Sequence, residues 1–354
     1  MSMRNSLALL ALALLPLPAG AERYFAGPLV ADNVSLRGYA MPADSAQVIS
    51  SGAWAYDLGF DAANYWNYES SGAGYVRQIF ETQTLAFGLH RGFACFFPAE
   101  ASLRVSAQQS GPGMLNGFIG GFETGMAGLF QSDLFINEAR TGPRPLHGSS
   151  DIVAANGRLR EREADTALGS GDTALTLKFQ MPSLGPLSSS SRLFANFPTA
   201  AIRSSNAFLG LGLAADLPTP LPRLLIHADA RGVVPLATQD DLGLPLSLFS
   251  LGGTFGLEWD LGGLGLSVVR FPEKFTLGLH ANLNQSPYQP TGLRAFDTPE
   301  NDLALGLNQG FRCGAWNGKV QLWGREDFFF TNGHSYWFPY APPDFQTGIK
   351  VSLQ

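Results

Sequence analysis

This sequence predicts an all-β fold: a single antiparallel transmembrane β-barrel of about 12 strands with one long extracellular loop. Three observations carry that prediction. Most of the chain alternates apolar and polar residues with period 2, the pattern of strands with one oily and one wet face. Charge within those strands collects on the wet face, whereas a soluble sandwich would bury its apolar side and put many Lys or Glu outside. Arg or Lys facing lipid at mid-membrane costs about 2–4 kcal/mol, so an oily face turned to lipid must exclude them. Finally, the composition is 45% hydrophobic and 15% charged with 41 Gly and 26 Phe, which suits short strands better than amphipathic helices.

The chain opens with Arg4, an apolar run from Leu7 to Leu17, and Ala19-Gly20-Ala21. This order reads as a secretory signal peptide over 1–21, cleaved before Glu22. Pro16 and Pro18 close the run before the roughly twenty apolar residues that a membrane anchor needs. Residues 22–45 are irregular and contain prolines, and are expected as a periplasmic lead-in. Residues 46–354 are expected as the barrel, in the outer membrane of a Gram-negative cell. No later stretch is long and apolar enough for a transmembrane helix, and no linker or repeat divides the chain.

Alternation starts at Trp54, Tyr56, Leu58, Phe60 and Ala62, and ends in the aromatic cluster Asn64-Tyr65-Trp66-Asn67-Tyr68, of the kind found at a membrane interface. It returns through Leu85, Phe87 and Leu89, then Leu103 and Val105. Gly111 to Gly171 breaks the pattern, and about sixty residues is too long for an ordinary connection. Its first half carries Leu115, Phe118, Phe122, Met126 and Leu129 at roughly helical spacing; its second half is charged. A helix in the barrel mouth and a surface loop both fit. Strands follow at Leu175 to Met181, Arg192 to Arg203 (weakly patterned, with Pro198), Leu209 to Leu213, Leu224 to Arg231, Phe255 to Leu261, Phe275 to Leu283, Leu303 to Phe311 and Val320 to Phe328. The last, Phe345 to Leu353, resembles the closing strand of outer-membrane proteins and is the expected handle for assembly machinery. Connections near Cys95, Leu184, Pro218, Gly262 and Cys313 are short. Those at Asn67–Phe80, Gly111–Gly171, Gln239–Pro245, Gln285–Asn301 and Thr331–Pro343 are long, with Ser204–Asn206 the exception to a long–short alternation.

The wet faces supply the candidate lumen-lining residues Asp57, Arg104, Lys178, His227, Asp229, Arg231, Glu258, His280, Asn282, Arg325, Asp327 and Lys350. Barrels of eight strands are filled by side chains and those of sixteen or more are open, so an intermediate count predicts a narrow or plugged lumen. Cys95 and Cys313 lie in similar turn contexts and either pair or remain free thiols. Neither His nor Cys occurs at metal-ligand spacing, and no cofactor motif is present. A net charge of -6 without a basic face argues against nucleic acid; outer-membrane lipid and lipopolysaccharide are the expected partners.

Gly27-Pro28-Leu29, Gly171-Asp172 before Leu175-Thr176-Leu177-Lys178, Ser286-Pro287-Tyr288 with Thr291-Gly292-Leu293, Glu326-Asp327 and Pro343-Asp344-Phe345 resemble an uncharacterised domain-of-unknown-function family of Gram-negative secreted proteins. Phe122-Glu123 stands where that family has a Trp-His pair. The resemblance implies an outer-membrane barrel and brings no activity or ligand. The leading functional expectation is a narrow or gated channel, or a binding barrel, for small or apolar solutes. An integral-membrane hydrolase is the second, with His280 beside Asn282 and Asn284 the best available group, although alternation alone puts them on one face. A structural or assembly barrel contacting lipopolysaccharide is the third.

Overall fold

The computed structural model describes residues 41–72, 74–111, 149–154, 159–164, 167–199, 207–240, 243–263, 272, 274–297, 300–327, 329–331, 334–336 and 345–354. Its strands are β1 (Trp54–Ser71), β2 (Gly74–Ala94), β3 (Pro98–Gly111), β4 (Ser149–Ala154), β5 (Leu159–Ala164), β6 (Ala167–Ser170), β7 (Thr173–Gln180), β8 (Ser188–Phe197), β9 (Phe208–Pro218), β10 (Leu224–Pro235), β11 (Ser250–Asp260) and β12 (Phe275–Asn284). A one-turn helix α1 (Arg294–Asp297) precedes β13 (Glu300–Cys313), β14 (Trp316–Asp327), β15 (Phe329–Thr331), β16 (His334–Tyr336) and β17 (Phe345–Leu353). Fifteen strands form one sheet; β4, β5 and β6 hang from it, and the other twelve close a ring in which every neighbour is antiparallel. Closure comes from β17, which pairs with β14 on one side and with β1 on the other. A closed ring leaves no unpaired backbone edge for lipid to meet, the condition for spanning a membrane with strands.

Burial follows the pleat. In β9, Phe208, Gly210, Gly212, Ala214 and Asp216 point inward and are buried, while Leu209, Leu211 and Leu213 point out. The same parity turns Leu58, Phe60, Leu85, Phe87, Leu251, Phe255 and Leu305 outward as a continuous oily belt. Trp54, Trp259 and Trp316 stand exposed at the end of the belt carrying the short turns. Tyr56 meets Trp316 edge-on at 5.8 Å, and the Arg91 guanidinium lies 4.6 Å over Trp54. Amphipathic rings in this position form the interfacial girdle of a membrane barrel.

Two expectations about connections are corrected. Asn67–Phe80 is strand rather than loop: β1 and β2 continue as a paired hairpin to Ser71 and Gly74. Beyond Glu81, β2 outruns β3, and an uncovered strand edge is a liability. The long insertion covers it: β4 pairs with Gly74–Ile79 of β2 and β5 with β4, while β6 pairs with the upper part of β3. The charged half of 111–171 is thus largely strand, and the helically spaced residues 114–130 fall outside the described residues. The weak strand expected from Arg192 to Arg203 is β8, which ends at Phe197 because Pro198 cannot donate to the ladder.

The chain before β1 is a further departure. Residues 41–45, expected in the periplasm, run inside the barrel with 46–49. Met41, Ala43 and Ala46 are buried, and the segment leaves at the short-turn rim, where Gly52 and Ala53 hydrogen-bond with Gly92 and Ser50. Backbone polar groups here find partners on the charged inner wall, which an isolated periplasmic strand would lack.

Candidate functional site

Side chains on the inner wall meet along rows set by strand register. One row climbs through Glu100, Lys178, Arg192, Gly212, Arg231, Gly252 and Asn284. The next holds Gln180, Ser190, Ala214, Asp229, Thr254, Asn282 and Asp302. A third holds Asp216, His227, Gly256, His280, Ala304, Arg325 and Gln346. Where a row carries glycine, a large neighbouring side chain lies over it. The His280 ring covers Gly256, where an added Cβ would stand 2.8 Å from its Nδ1. Trp323 covers Gly348 in the same way.

Charges in these rows are neutralised in chains, as burial requires. Arg192 donates to Asp229 through Nη2, Arg231 Nε lies 3.3 Å from the other Asp229 oxygen, and Arg231 Nη2 donates to Asn284 at 3.2 Å. Thr254 donates to Asn282 at 2.6 Å, Asn282 to Asp302 at 2.6 Å, and Arg325 to Asp302 at 2.9 Å, a ladder over four strands. Nearer the short-turn rim, His90 sits between Asp57 at 3.1 Å and Glu100 at 2.8 Å, and Lys350 reaches Asp57 at 2.8 Å. His227 meets Asp216 at 2.7 Å. His280 approaches Glu258 at 3.4 Å, and its ring lies 6.1 Å from that of His227. Among the described residues no three His, Cys, Asp or Glu side chains converge as metal ligands.

Of the sequence candidates, Lys178, His227, Asp229, Arg231, Glu258, His280, Asn282 and Arg325 are buried on the inner wall. Asp57, Arg104 and Lys350 are half-buried there. Asp327 lies in β14, and its side chain is outside the described residues. Asn282 turns to Thr254 and Asp302, so the row of His280, Asn282 and Asn284 is not a connected group. The charged wall residues Arg192, Glu100, Asp216 and Asp302 are not among the sequence candidates. Each has inward parity, a signal hidden in β8 by its serine run and elsewhere by the position near a strand end.

Two features occupy the lumen and its mouth. From one side the N-terminal strap, residues 41–53, follows the wall made by β3, β7, β8 and β9. Pro42 O accepts from Arg192 Nη1 at 2.8 Å, Ser45 O from Ser190 Oγ at 3.4 Å, and Asp216 and Glu100 accept from the Ala46 and Ile49 amides at 3.0 and 3.2 Å. Asp44 lies 3.1 Å from Lys178 Nζ and 3.9 Å from Arg192 Nη1. Burial alone would raise the Asp44 carboxyl's pKa, but Lys178 and Arg192 together hold it below its ordinary value. From the other side, the β10–β11 and β12–β13 connections fold over the barrel mouth. Leu244, Leu246, Tyr288, Leu293 and Phe296 pack there with Phe194, Phe208, Val233 and Met41 of the strap in one apolar cluster. Asp240 pins the two connections together, accepting from the Leu244 amide at 2.7 Å and the Tyr288 hydroxyl at 3.1 Å.

Neither a family model nor a curated relative matches the sequence. Solved structures do resemble the fold. An outer membrane channel from Pseudomonas putida F1 matches with a TM-score of 0.46 and 10% identity over 87% of this chain and 97% of that one. The NanC porin matches with 0.41 and 8% over 85% and 98%, and a FadL homologue from Pseudomonas aeruginosa with 0.34 and 8% over 85% and 89%. The described strands form a closed twelve-stranded antiparallel β-barrel with a lipid-facing surface. Its oily belt, aromatic girdle and closed ring are the physical content of that statement.

Proposed function

We propose that this barrel is a gated channel for small or apolar solutes, closed at rest by its own N-terminal strap and by the two connections over its mouth. The observation that carries the reading is the strap itself, a segment apart from the ring that crosses a charged lumen and is held from Pro42 to Ile49 by wall side chains rather than by strand pairing. Such contacts can be exchanged for those of another occupant without breaking the ladder hydrogen bonds of the ring. The hydrolase alternative draws no support from His280, whose ring approaches Glu258 and His227 and whose nitrogens hydrogen-bond to no hydroxyl among the described residues.

The test locks the strap. Ser45→Cys with Ser190→Cys, in a Cys95→Ser, Cys313→Ser background, joins strap and wall where the Ser190 hydroxyl lies 3.4 Å from the Ser45 carbonyl. In planar bilayers the oxidised protein is expected to stay closed and the reduced protein to show intermittent openings. Equal conductance in both states, or none in the reduced protein, refutes gating by the strap.

A further inference from the structure

We infer that the strap occupies a binding site for an amphipathic monocarboxylate and mimics that ligand, an inference that rests on the gated-channel reading and specifies its solute. Two strap side chains carry it. Asp44 places a carboxylate on Lys178 and Arg192, both buried in the wall. Met41, three residues earlier, places an unbranched apolar chain among Phe194, Phe208 and Leu244.

The two halves of the site meet over β9. A Cβ added at Gly212 would stand 2.9 Å from the Met41 methyl and 3.0 Å from both Arg192 Nε and Nη2, so the apolar and cationic groups converge on one glycine. A Cβ at Gly210 would stand 2.9 Å from the Met41 sulfur. Glycine at both positions opens a shallow groove that runs from the guanidinium toward the phenyl rings of Phe194 and Phe208, which stack at 5.5 Å. The groove therefore has a polar end and an oily end, the shape of a molecule with a charged head and a hydrocarbon tail.

Charge fixes the sign of the head. Lys178, Arg192 and Arg231 face Asp229 and Asp44 in this cluster, while Glu100 beside Lys178 is engaged by His90 and the Ile49 amide. When the strap leaves, Asp44 leaves with it and Glu100 loses the Ile49 amide, so Lys178, Arg192 and Arg231 keep Asp229 and Glu100, with one positive charge in excess. Buried cations without a counter-ion are costly, so an arriving carboxylate regains what the strap gave up. An alcohol supplies no charge and an amine supplies the wrong one. Met41 suits the place-holding role because its flexible thioether fills gaps that a ligand tail of another shape can take over.

The experiment measures binding of radiolabelled octanoate to full-length protein in nanodiscs by equilibrium dialysis, with octanol, octylamine and acetate as comparison probes. Asp44→Asn is expected to tighten octanoate binding about tenfold by weakening the competing strap, the equivalent of about 1.4 kcal/mol. Adding Lys178→Gln should remove that gain. Met41→Gly, which leaves the wall untouched, should tighten octanoate while acetate stays weak. The inference is overturned if Asp44→Asn leaves octanoate binding unchanged, or if octanol or octylamine binds as tightly as octanoate. Octanoate binding by a barrel that never conducts would sink the channel reading alone; conduction without octanoate binding would sink this one alone.

Discussion

The packing of large side chains over glycine makes a quantitative claim at Gly348, on the inner face of the closing strand. A Cβ there would lie 2.6 Å from Trp323 Cζ2, 2.7 Å from Cε2 and 2.8 Å from Nε1. Real Cβ contacts do not come so close, and Trp323 is itself buried, at 6% exposure, with no room to step aside. Gly348→Ala should therefore carry an overpacking cost of about 1–3 kcal/mol. Gly59 on β1 is the control, because its added methyl would meet only the Ile349 carbonyl oxygen at 3.9 Å, an ordinary contact. Gly59→Ala should stay within about 0.5 kcal/mol of the parent. In a Trp323→Leu background the penalty at Gly348 should vanish, since the two residues share one volume and must couple. Urea unfolding in detergent micelles, followed by heat-modifiable gel migration, reads the parent and all four variants. Equal penalties at Gly59 and Gly348, or a Gly348→Ala penalty that persists without the indole, would show that Trp323 does not fill the lumen against β17.

Three other outcomes are expected. The Asp44 carboxyl has its pKa lowered in the folded protein, so its tie to Lys178 and Arg192 is fully present above the ordinary value of 3.8 and is lost as pH falls through the lowered one. Open probability in bilayers should thus be flat from neutral pH down to about 4 and rise only below it, with Asp44→Asn showing no such acid rise. Arg325→Met leaves Asp302, its buried partner at 2.9 Å, without that cation and should cost about 3–5 kcal/mol in urea unfolding, more than the double replacement Arg325→Met, Asp302→Leu. Cys95 in the β2–β3 turn and Cys313 at the end of β13 are free and exposed. A membrane-impermeant maleimide should label both in permeabilised cells and neither in intact ones; labelling of intact cells would invert the assigned orientation.

Alternation is a local property, and that is why so much of the fold is legible in the sequence. The side chain at each position points opposite to its neighbour, so Leu209, Leu211 and Leu213 declare one face and His227, Asp229 and Arg231 the other without knowledge of which strands meet. Lipid then decides which face is outside, because it cannot solvate the second set. The same logic reached Lys178, Glu258, His280 and Arg325, and missed Arg192 only because the serines around it blur the oily parity of β8.

Proximity is not local. That Arg192 reaches Asp229 across Gly212, or that the His227 and His280 rings lie either side of Gly256, follows from register and the shear of a closed ring, which no single strand encodes. Met41 and Asp44 look like any irregular lead-in until the wall they lie against has been assembled from strands more than a hundred residues away. Leu244 and Tyr288 likewise come together only when Asp240 bridges their two connections. Each of these contacts is made between chain segments far apart in sequence, so its energy depends on a geometry that only the closed barrel supplies.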